Sequence, residues 1–475
     1  MIAASSLTLT AELYTQARMH LFPGDGFEAA GILLCARTPG PRVRLVARSF
    51  VPVPYDQCER GPDLLRWPGS VIEDAIDQAD HDGLSLILLH SHPGGFFAFS
   101  EQDDKSDQAT MPGLRQAIDA PHGTAIMVPD GAMLARLYTT DGQPQLLERV
   151  AVPGERLRWW WHDRAFARRP MAFTSTTRDE LKRLVACVVG VSGTGSIVAE
   201  QLARLGFGKV QLIDFDKVES RNLNRILNST LEDAQHGRAK VDVFERAITS
   251  YREAGVAEPL KASIFTRDAV LLASQADVVF SCMDSLEGRQ IVDMLCAAFL
   301  IPLFDVGVSI PTRQGLDGPR IVDVCARLDY VRPGGPTLRD REVYTEKSLR
   351  AEYLRRTSPK DFAREVADGY LPGLAEEAPA VISLNMRAAS DLVMEFIARA
   401  YPFRDANIDA AVRRRISVAE HEDDRIDEAT FTKAPNPLLA SGDVEPLLGL
   451  PSLGCRPAGS AAMICGGENA HVRLA

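Results

Sequence analysis

The sequence predicts an α/β protein of two large domains, the second built around a largely parallel sheet. Two stretches carry this expectation. At 84–103 an apolar run suited to a buried strand, Leu84-Ser-Leu-Ile-Leu-Leu89, leads into His90-Ser-His92-Pro-Gly-Gly-Phe-Phe-Ala-Phe-Ser100-Glu-Gln-Asp103. At 185–214 an apolar strand, a glycine-rich turn (Gly190-Val-Ser-Gly193-Thr-Gly195), an amphipathic helix and a second strand, Lys209–Asp214, compose a βαβ unit. The chain has 475 residues, room for about two to four domains. Its motifs divide it into a first domain at 1–150, where apolar strands alternate with helices, a second at 151–430, and a tail at 431–475 rich in Pro, Gly and Ala.

In the first stretch a strand would present His90 and His92 on one side, because side chains repeat with period 2. Pro93-Gly94-Gly95 ends the strand, and Ser100-Glu-Gln-Asp103 reads as a helix start capped by Ser100, from which Asp103 can return to the two imidazoles. Two histidines and a carboxylate supply three protein ligands, the number a catalytic zinc uses when its fourth position is left to water. His20, His81 and His122 lack such company and read as surface or structural histidines.

His-x-His-Pro, six residues, Ser, two residues, Asp resembles the signature of the JAB/MPN (JAMM) metalloproteases, which cut peptide and isopeptide bonds after the C-terminus of ubiquitin or ubiquitin-like proteins. That family also places a Glu at the start of an upstream core segment, and Glu28-Ala-Ala-Gly31-Ile-Leu-Leu34 fits. The resemblance implies an α/β/α metalloprotease fold. It makes His90, His92 and Asp103 the Zn2+ ligands, Glu28 the general base, and Ser100 a donor to the tetrahedral oxyanion.

The βαβ unit alone would favour a dinucleotide, with glycines admitting phosphates to a helix N-terminus and Asp214 taking ribose hydroxyls. The residues beyond the second strand change the choice. Asp214-Phe-Asp216-Lys-Val-Glu-Ser-Arg-Asn222-Leu-Asn-Arg225 and Gly237-Arg-Ala-Lys240 resemble the adenylating superfamily of ThiF, MoeB and ubiquitin-activating enzymes. The resemblance implies a Rossmann-like domain binding ATP and Mg2+. Gly190, Gly193, Gly195, Asp214 and Asp216 would line the nucleotide, Asn222 and Arg225 would contact phosphates, and Lys240 would reach the ribose or phosphates. Asp284, in Ala276-Asp-Val-Val-Phe-Ser-Cys-Met-Asp284-Ser, would hold magnesium, with a helix-capping role as the alternative. Arg168, with Arg164 and Arg169 as runners-up, matches an arginine that relatives reach across a dimer into the partner's ATP site; the alternative is a solvated basic turn. Glu377-Ala-Pro-Ala-Val-Ile-Ser-Leu-Asn385 fits a late core helix, so the match covers most of 160–400.

Two features of such relatives are missing. No Cys-x-x-Cys occurs, and Pro333-Gly-Gly-Pro336 runs into Thr337-Leu-Arg-Asp340, so no structural zinc is expected in the second domain. Relatives that form thioesters place a cysteine before the late core helix, whereas this chain has none between Cys325 and Cys455. Three routes stay open: release of the acyl-adenylate to a partner, an oxyester on Ser348 or Ser358, or a thioester on Cys455.

Three adjacent tryptophans, Trp159–Trp161, in a chain with four in total are expected to pack between the domains or to meet a partner. No run of eighteen apolar residues predicts a membrane span. The N-terminus lacks the basic and apolar regions of a signal peptide. Eight scattered cysteines fit a reducing cytoplasm. A net charge of −11 argues against a general nucleic-acid surface.

The functional expectation is a bifunctional enzyme of a bacterial ubiquitin-like pathway. One half would trim or remove a ubiquitin-like protein, and the other would adenylate its C-terminal carboxylate. A conjugating-enzyme partner and a homodimer through the second domain are implied by the resemblance. Processing of a sulfur-carrier protein, an inactive scaffold and an NAD oxidoreductase are the rival readings.

Overall fold

The computed structural model describes residues 5–138, 141–163, 169–315, 318–367, 381–405 and 408–454. In the first half the elements follow in the order β1 (Ser6–Thr8), α1 (Ala11–Leu21), β2 (Ala30–Arg37), β3 (Arg44–Pro52), β4 (Glu59–Gly61), β5 (Leu64–Arg66), α2 (Gly69–Asp80), β6 (Ser85–Ser91), α3 (Glu101–Ala117), β7 (Gly123–Met127), β8 (Met133–Tyr138), β9 (Pro144–Leu146), β10 (Arg149–Pro153) and β11 (Leu157–Trp161). Except for the small β4–β5 hairpin they form a nine-stranded mixed sheet, β11-β10-β1-β3-β2-β6-β7-β8-β9. Strand alternation splits its apolar residues between two faces. Leu7, Leu33, Leu45, Ile87 and Leu89 pack under α1. Ile32, Leu34, Val46, Leu86 and Leu88 pack under α2 and α3.

The second half continues with α4 (Ser175–Leu181), β12 (Val185–Val189), α5 (Gly193–Leu205), β13 (Lys209–Ile213), α6 (Leu231–Gln235), α7 (Lys240–Thr249), β14 (Ala257–Leu260), α8 (Arg267–Ala273), β15 (Val278–Ser281), α9 (Leu286–Ala298), β16 (Leu303–Ser309), the hairpin β17 (Thr312–Gly315) and β18 (Gly318–Ile321), β19 (Cys325–Val331), α10 (Glu346–Thr357), α11 (Pro359–Ala367), α12 (Ile382–Ala400), β20 (Ala411–Ser417) and β21 (Glu422–Asp427). Its eight-stranded sheet has the order β14-β13-β12-β15-β16-β19-β20-β21. The first five strands are parallel, and the last three join antiparallel. Strand order reverses between β12 and β15, the crevice where open α/β sheets bind ligands. Helices α5 and α12 cover one face through Val198, Leu202, Leu392 and Phe396, and α8 and α9 cover the other through Val270, Val292 and Leu295.

The boundary read at residue 150 falls inside β10, because β10 pairs with β1 and β11 with β10. The first sheet therefore runs to Trp161. Along β11 the tryptophans alternate as a strand requires. Trp160 stacks on Tyr14 of α1 at 5.6 Å, while Trp159 and Trp161 turn to the second half and both donate their indole N–H to Glu180, at 2.6 and 2.8 Å.

The tail reading also needs correction over 431–454. Leu447, Leu448 and Leu453 are buried in the core under α8 and α9. The preceding segment ties the halves together: Ala440 N–H donates to Ala297 O, and Asp443 N–H donates to Arg37 O on β2. Cys455 and the rest of the tail lie outside the described residues. Among the described residues no helix is long and apolar enough to cross a membrane.

Candidate active sites

Strand β6 lies between β2 and β7 with His90 opposite Ala30. His90 ends the buried run and His92 comes two residues on, so both imidazoles emerge on the same side. Ser100 caps α3: its Oγ accepts Asp103 N–H at 3.1 Å, and its own N–H donates to Asp103 Oδ2 at 2.6 Å. This reciprocal box turns the Asp103 carboxylate back to the strand. Asp103 Oδ1 lies 3.1 Å from His90 Nε2, Asp103 Oδ2 lies 3.6 Å from His92 Nε2, and the two Nε2 atoms are 3.0 Å apart. Among the described residues this is the one convergent group of three metal-ligating side chains.

The donor set fits a zinc ion. His92 Nδ1 lies 2.7 Å from the Phe96 carbonyl; a proton on Nδ1 would leave the Nε2 lone pair directed into the cluster, the outer-shell arrangement of metal-binding histidines. Burial would raise Asp103, but hydrogen bonds from His90 and His92 outweigh it and hold the carboxyl well below the usual range. Burial opposes charge on His92, yet Asp103 and the Phe96 carbonyl raise it. A carboxylate and two imidazoles thus converge where a cation would offset the carboxylate charge and accept the lone pairs of the neutral rings.

Glu28 precedes β2, next to Ala29, whose N–H donates to Ser91 Oγ at 2.9 Å and whose carbonyl accepts Ser91 N–H. Burial raises its pKa, and the nearby His90 and His92 oppose the shift. A residue that sequence reading missed fixes it. Arg60, on β4, donates through Nε to the Glu28 carbonyl at 2.7 Å, while Gly61 O accepts the Glu28 N–H at 2.9 Å. Arg60 itself is held by Asp25 at 3.0 Å and by the Tyr55 ring at 4.4 Å. Nothing in the short strand Glu59–Gly61 signals this, because the contact depends on a hairpin folding back over 32 residues. The other histidines stand apart: His81 is exposed, His20 contacts the Ala30 carbonyl, and His122 accepts Leu86 N–H.

The second site forms at the C-terminal ends of β12 and β13. Gly190 has φ +88°, and a Cβ on Gly195 would fall 1.7 Å from the Gly190 carbonyl oxygen, so the turn into α5 closes only without side chains. At Gly193 a Cβ would meet Asn385 Nδ2 at 2.3 Å and Arg225 Cδ at 3.4 Å. The late core helix and the arginine therefore both border the glycine turn. Asn385 is buried, with its Oδ1 unpartnered.

Asp214 is anchored by Val191 N–H on Oδ2 at 2.7 Å and Asp216 N–H on Oδ1 at 2.8 Å. Burial raises its pKa against the pull of Lys240. Lys240, despite its distance in sequence, opens α7 beside these acids, 2.7 Å from Asp216 and 4.0 Å from Asp214. Asn222 is buried and accepts Glu219 N–H at 3.1 Å through Oδ1.

Asp284 stands exposed just beyond β15. The helix cap is Ser285, whose hydroxyl accepts Gly288 N–H, so capping does not account for Asp284. Helix α10 sits over this turn: the Glu352 carboxylate accepts the N–H groups of Leu286 and Glu287 at 3.2 and 2.8 Å, and Arg356 pairs with Glu287. The residues present fit a nucleotide: a turn cleared of side chains, two anchored acids, a buried lysine and an unpartnered amide oxygen.

Residues 10–138 match the family described as prokaryotic homologs of the JAB domain, and residues 166–320 match the ThiF family. The chain is a fusion of these two domains. The chain is similar to ubiquitin-like modifier-activating enzyme 5 of Drosophila persimilis, 28% identical over 193 residues, covering 37% of this chain and 47% of that protein. The Caenorhabditis briggsae protein of the same name is 33% identical over 167 residues, 33% of this chain and 35% of its own. The chain thus spans about half or less of the curated relatives it matches. The crystal structure of E. coli MccB with ATP aligns at 17% identity and a TM-score of 0.42, over 56% of this chain and 69% of that one.

Of the arginine candidates before the ThiF sheet, Arg164 and Arg168 lie outside the described residues. Arg169 is committed elsewhere, donating to the carbonyls of Ala400 and Leu157 and lying 4.7 Å from the Trp159 ring. Of the candidate acyl acceptors, Ser348 closes the capping box of α10 with Thr345, and Ser358 Oγ donates to Asp361 Oδ2 at 2.5 Å at the start of α11. That bond has the i to i+3 spacing of a helix cap and sets a carboxylate against the serine hydroxyl.

Proposed function

We propose that the JAB-like domain is a zinc peptidase or isopeptidase acting at the C-terminus of a ubiquitin-like protein, and that the ThiF domain adenylates the carboxylate so exposed. The observation that carries the first half is the convergence of His90, His92 and Asp103 beside Glu28. A zinc ion held there would supply Lewis acidity and an acidified water. Glu28, held by its backbone between Arg60 and Gly61, takes the proton of the attacking water and returns it to the leaving amine. The Ser100 hydroxyl uses its oxygen to cap α3, which leaves its hydrogen for an oxyanion.

In the ThiF domain the turn at Gly190–Gly195 admits phosphates to the α5 N-terminus. Asp214 receives ribose hydroxyls, Arg225 and Asn222 face the phosphates, and Lys240 shifts from Asp216 to phosphate. Asp284 would supply the carboxylate that holds magnesium beside the phosphates. A conjugating-enzyme partner and a homodimer that brings Arg168 to the neighbouring site belong to the same reading, as does an acyl-adenylate passed on without a cysteine thioester. Fusion joins two steps of which the first makes the substrate of the second.

The test is mass spectrometry of a ubiquitin-like protein carrying extra residues after its terminal glycine, incubated with the full chain. Release of the extension that a zinc chelator stops, and added zinc restores, supports the reading. Release that persists in chelator, or none with zinc present, sinks the peptidase half.

A further inference from the structure

At the seam between the domains, cationic side chains outnumber acids. The Asp277 side chain, 6% exposed, faces Arg42, Arg44 and Arg149. Its Oδ2 accepts Val185 N–H at 2.8 Å, and its Oδ1 is shared by Arg149 and by Arg42 at 3.3 Å. Asp277 therefore stands against both Arg44 and Arg149, which line one cavity with it, and the exposed Arg158 lies at the rim. Guanidinium does not deprotonate in proteins, so the surplus charge is permanent.

The strand register concentrates it. Ser6 of β1 is level with Arg149 of β10 on one side and Arg44 of β3 on the other. In parallel strands, level residues share a face. All three are at least 96% buried, and each keeps an unpartnered polar atom: Ser6 Oγ, Arg44 Nε and Arg149 Nη1. Arg44 and Arg149, with Thr8, Asp277 and Leu300, line a cavity of about 30 Å³. That is room for one or two water-sized particles and too little for a nucleotide or a peptide end. Burial disfavours the Arg44 charge, Asp277 supports it, and Arg42 and Arg149 weigh against it.

We infer that this cavity binds a small inorganic anion of the halide class, held by Arg44 and Arg149, which completes the contact between the two domains. Buried cations in excess of their counter-charges are costly, and one monovalent anion offsets the excess while accepting from the orphaned Arg44 Nε and Arg149 Nη1.

The probe is bromide, soaked into crystals of the full chain and located by anomalous scattering. A peak between Arg44 and Arg149, absent in Arg149→Met, is the expected result. A water without anomalous signal, or a peak unchanged in that variant, overturns the site. In solution, replacing gluconate by chloride at fixed ionic strength is expected to raise the melting temperature of the wild-type chain by a few degrees and then saturate. This measurement needs no variant, and a curve without saturation overturns the inference equally.

Discussion

Arg60 holds the backbone carbonyl of Glu28 at 2.7 Å, from a hairpin that contributes no ligand to the metal cluster. The general base of the proposed peptidase is therefore positioned by a residue outside the motif. Replacing Arg60 with Met should lower peptidase kcat by up to about 100-fold, the scale of a 1 Å misplacement. Bound zinc should stay unchanged, and Arg60→Lys should recover part of the loss. Equal turnover in Arg60→Met, measured beside zinc content, would remove the role.

Glu28→Gln keeps the shape and removes the base. Peptidase activity should fall about 100- to 10,000-fold, with zinc retained through His90, His92 and Asp103 and with adenylation unaffected. Full cleavage by this variant would exclude Glu28 as the proton acceptor.

Asp284→Ala should abolish ATP-dependent activation while leaving peptide cleavage intact. Because Ser285 caps α9, the variant should fold as the parent does, within about 0.5 kcal/mol for an exposed site. Activation that persists at the same magnesium dependence would contradict the ligand assignment.

Burial pushes Asp293 up to about 6, although Tyr344 donates to it at 2.8 Å. An acid whose folded pKa exceeds its unfolded value keeps its proton better when folded, so stability falls as pH rises from about 4 to about 6. Asp293→Asn should remove this part of the pH dependence and leave a flatter curve. The check is urea denaturation of both proteins at pH 4.5, 5.5 and 6.5 (about the span of the transition); parallel curves would refute it.

Leu447 is fully buried in the core beneath α8 and α9. Leu447→Ala should cost about 2–5 kcal/mol of stability by denaturant unfolding. A surface strap would lose far less.

Much of both sites was legible because short-range rules governed them. Period 2 set His90 and His92 on one side of β6, and the Ser100–Asp103 box is a local i to i+3 contact. The βαβ turn likewise depends on Gly190 and Gly195 meeting within six residues. What sequence did not reveal depends on long-range closure. Arg60 reaches Glu28 only after the β4–β5 hairpin folds back, and Glu352 reaches the α9 N-terminus across 65 residues. Asp284 and Ser285 are adjacent, and only backbone geometry decides which one caps. The boundary at 150 failed because β10 is claimed by hydrogen bonds to β1 and β11 by hydrogen bonds to β10, which a change in composition does not register. The buried leucines of 447–453 sit amid Pro and Gly, and composition masked them.

Preparation and activation of the same carboxylate by one chain can be measured in a single assay. ATP–pyrophosphate exchange by the full chain is compared between a ubiquitin-like protein ending at its terminal glycine and one that carries an extension. Exchange is expected with the trimmed form at once, and with the extended form only when Glu28 is intact and zinc is present. Absence of exchange with any ubiquitin-like protein, or equal exchange with the extended form in Glu28→Gln, would contradict the proposed coupling.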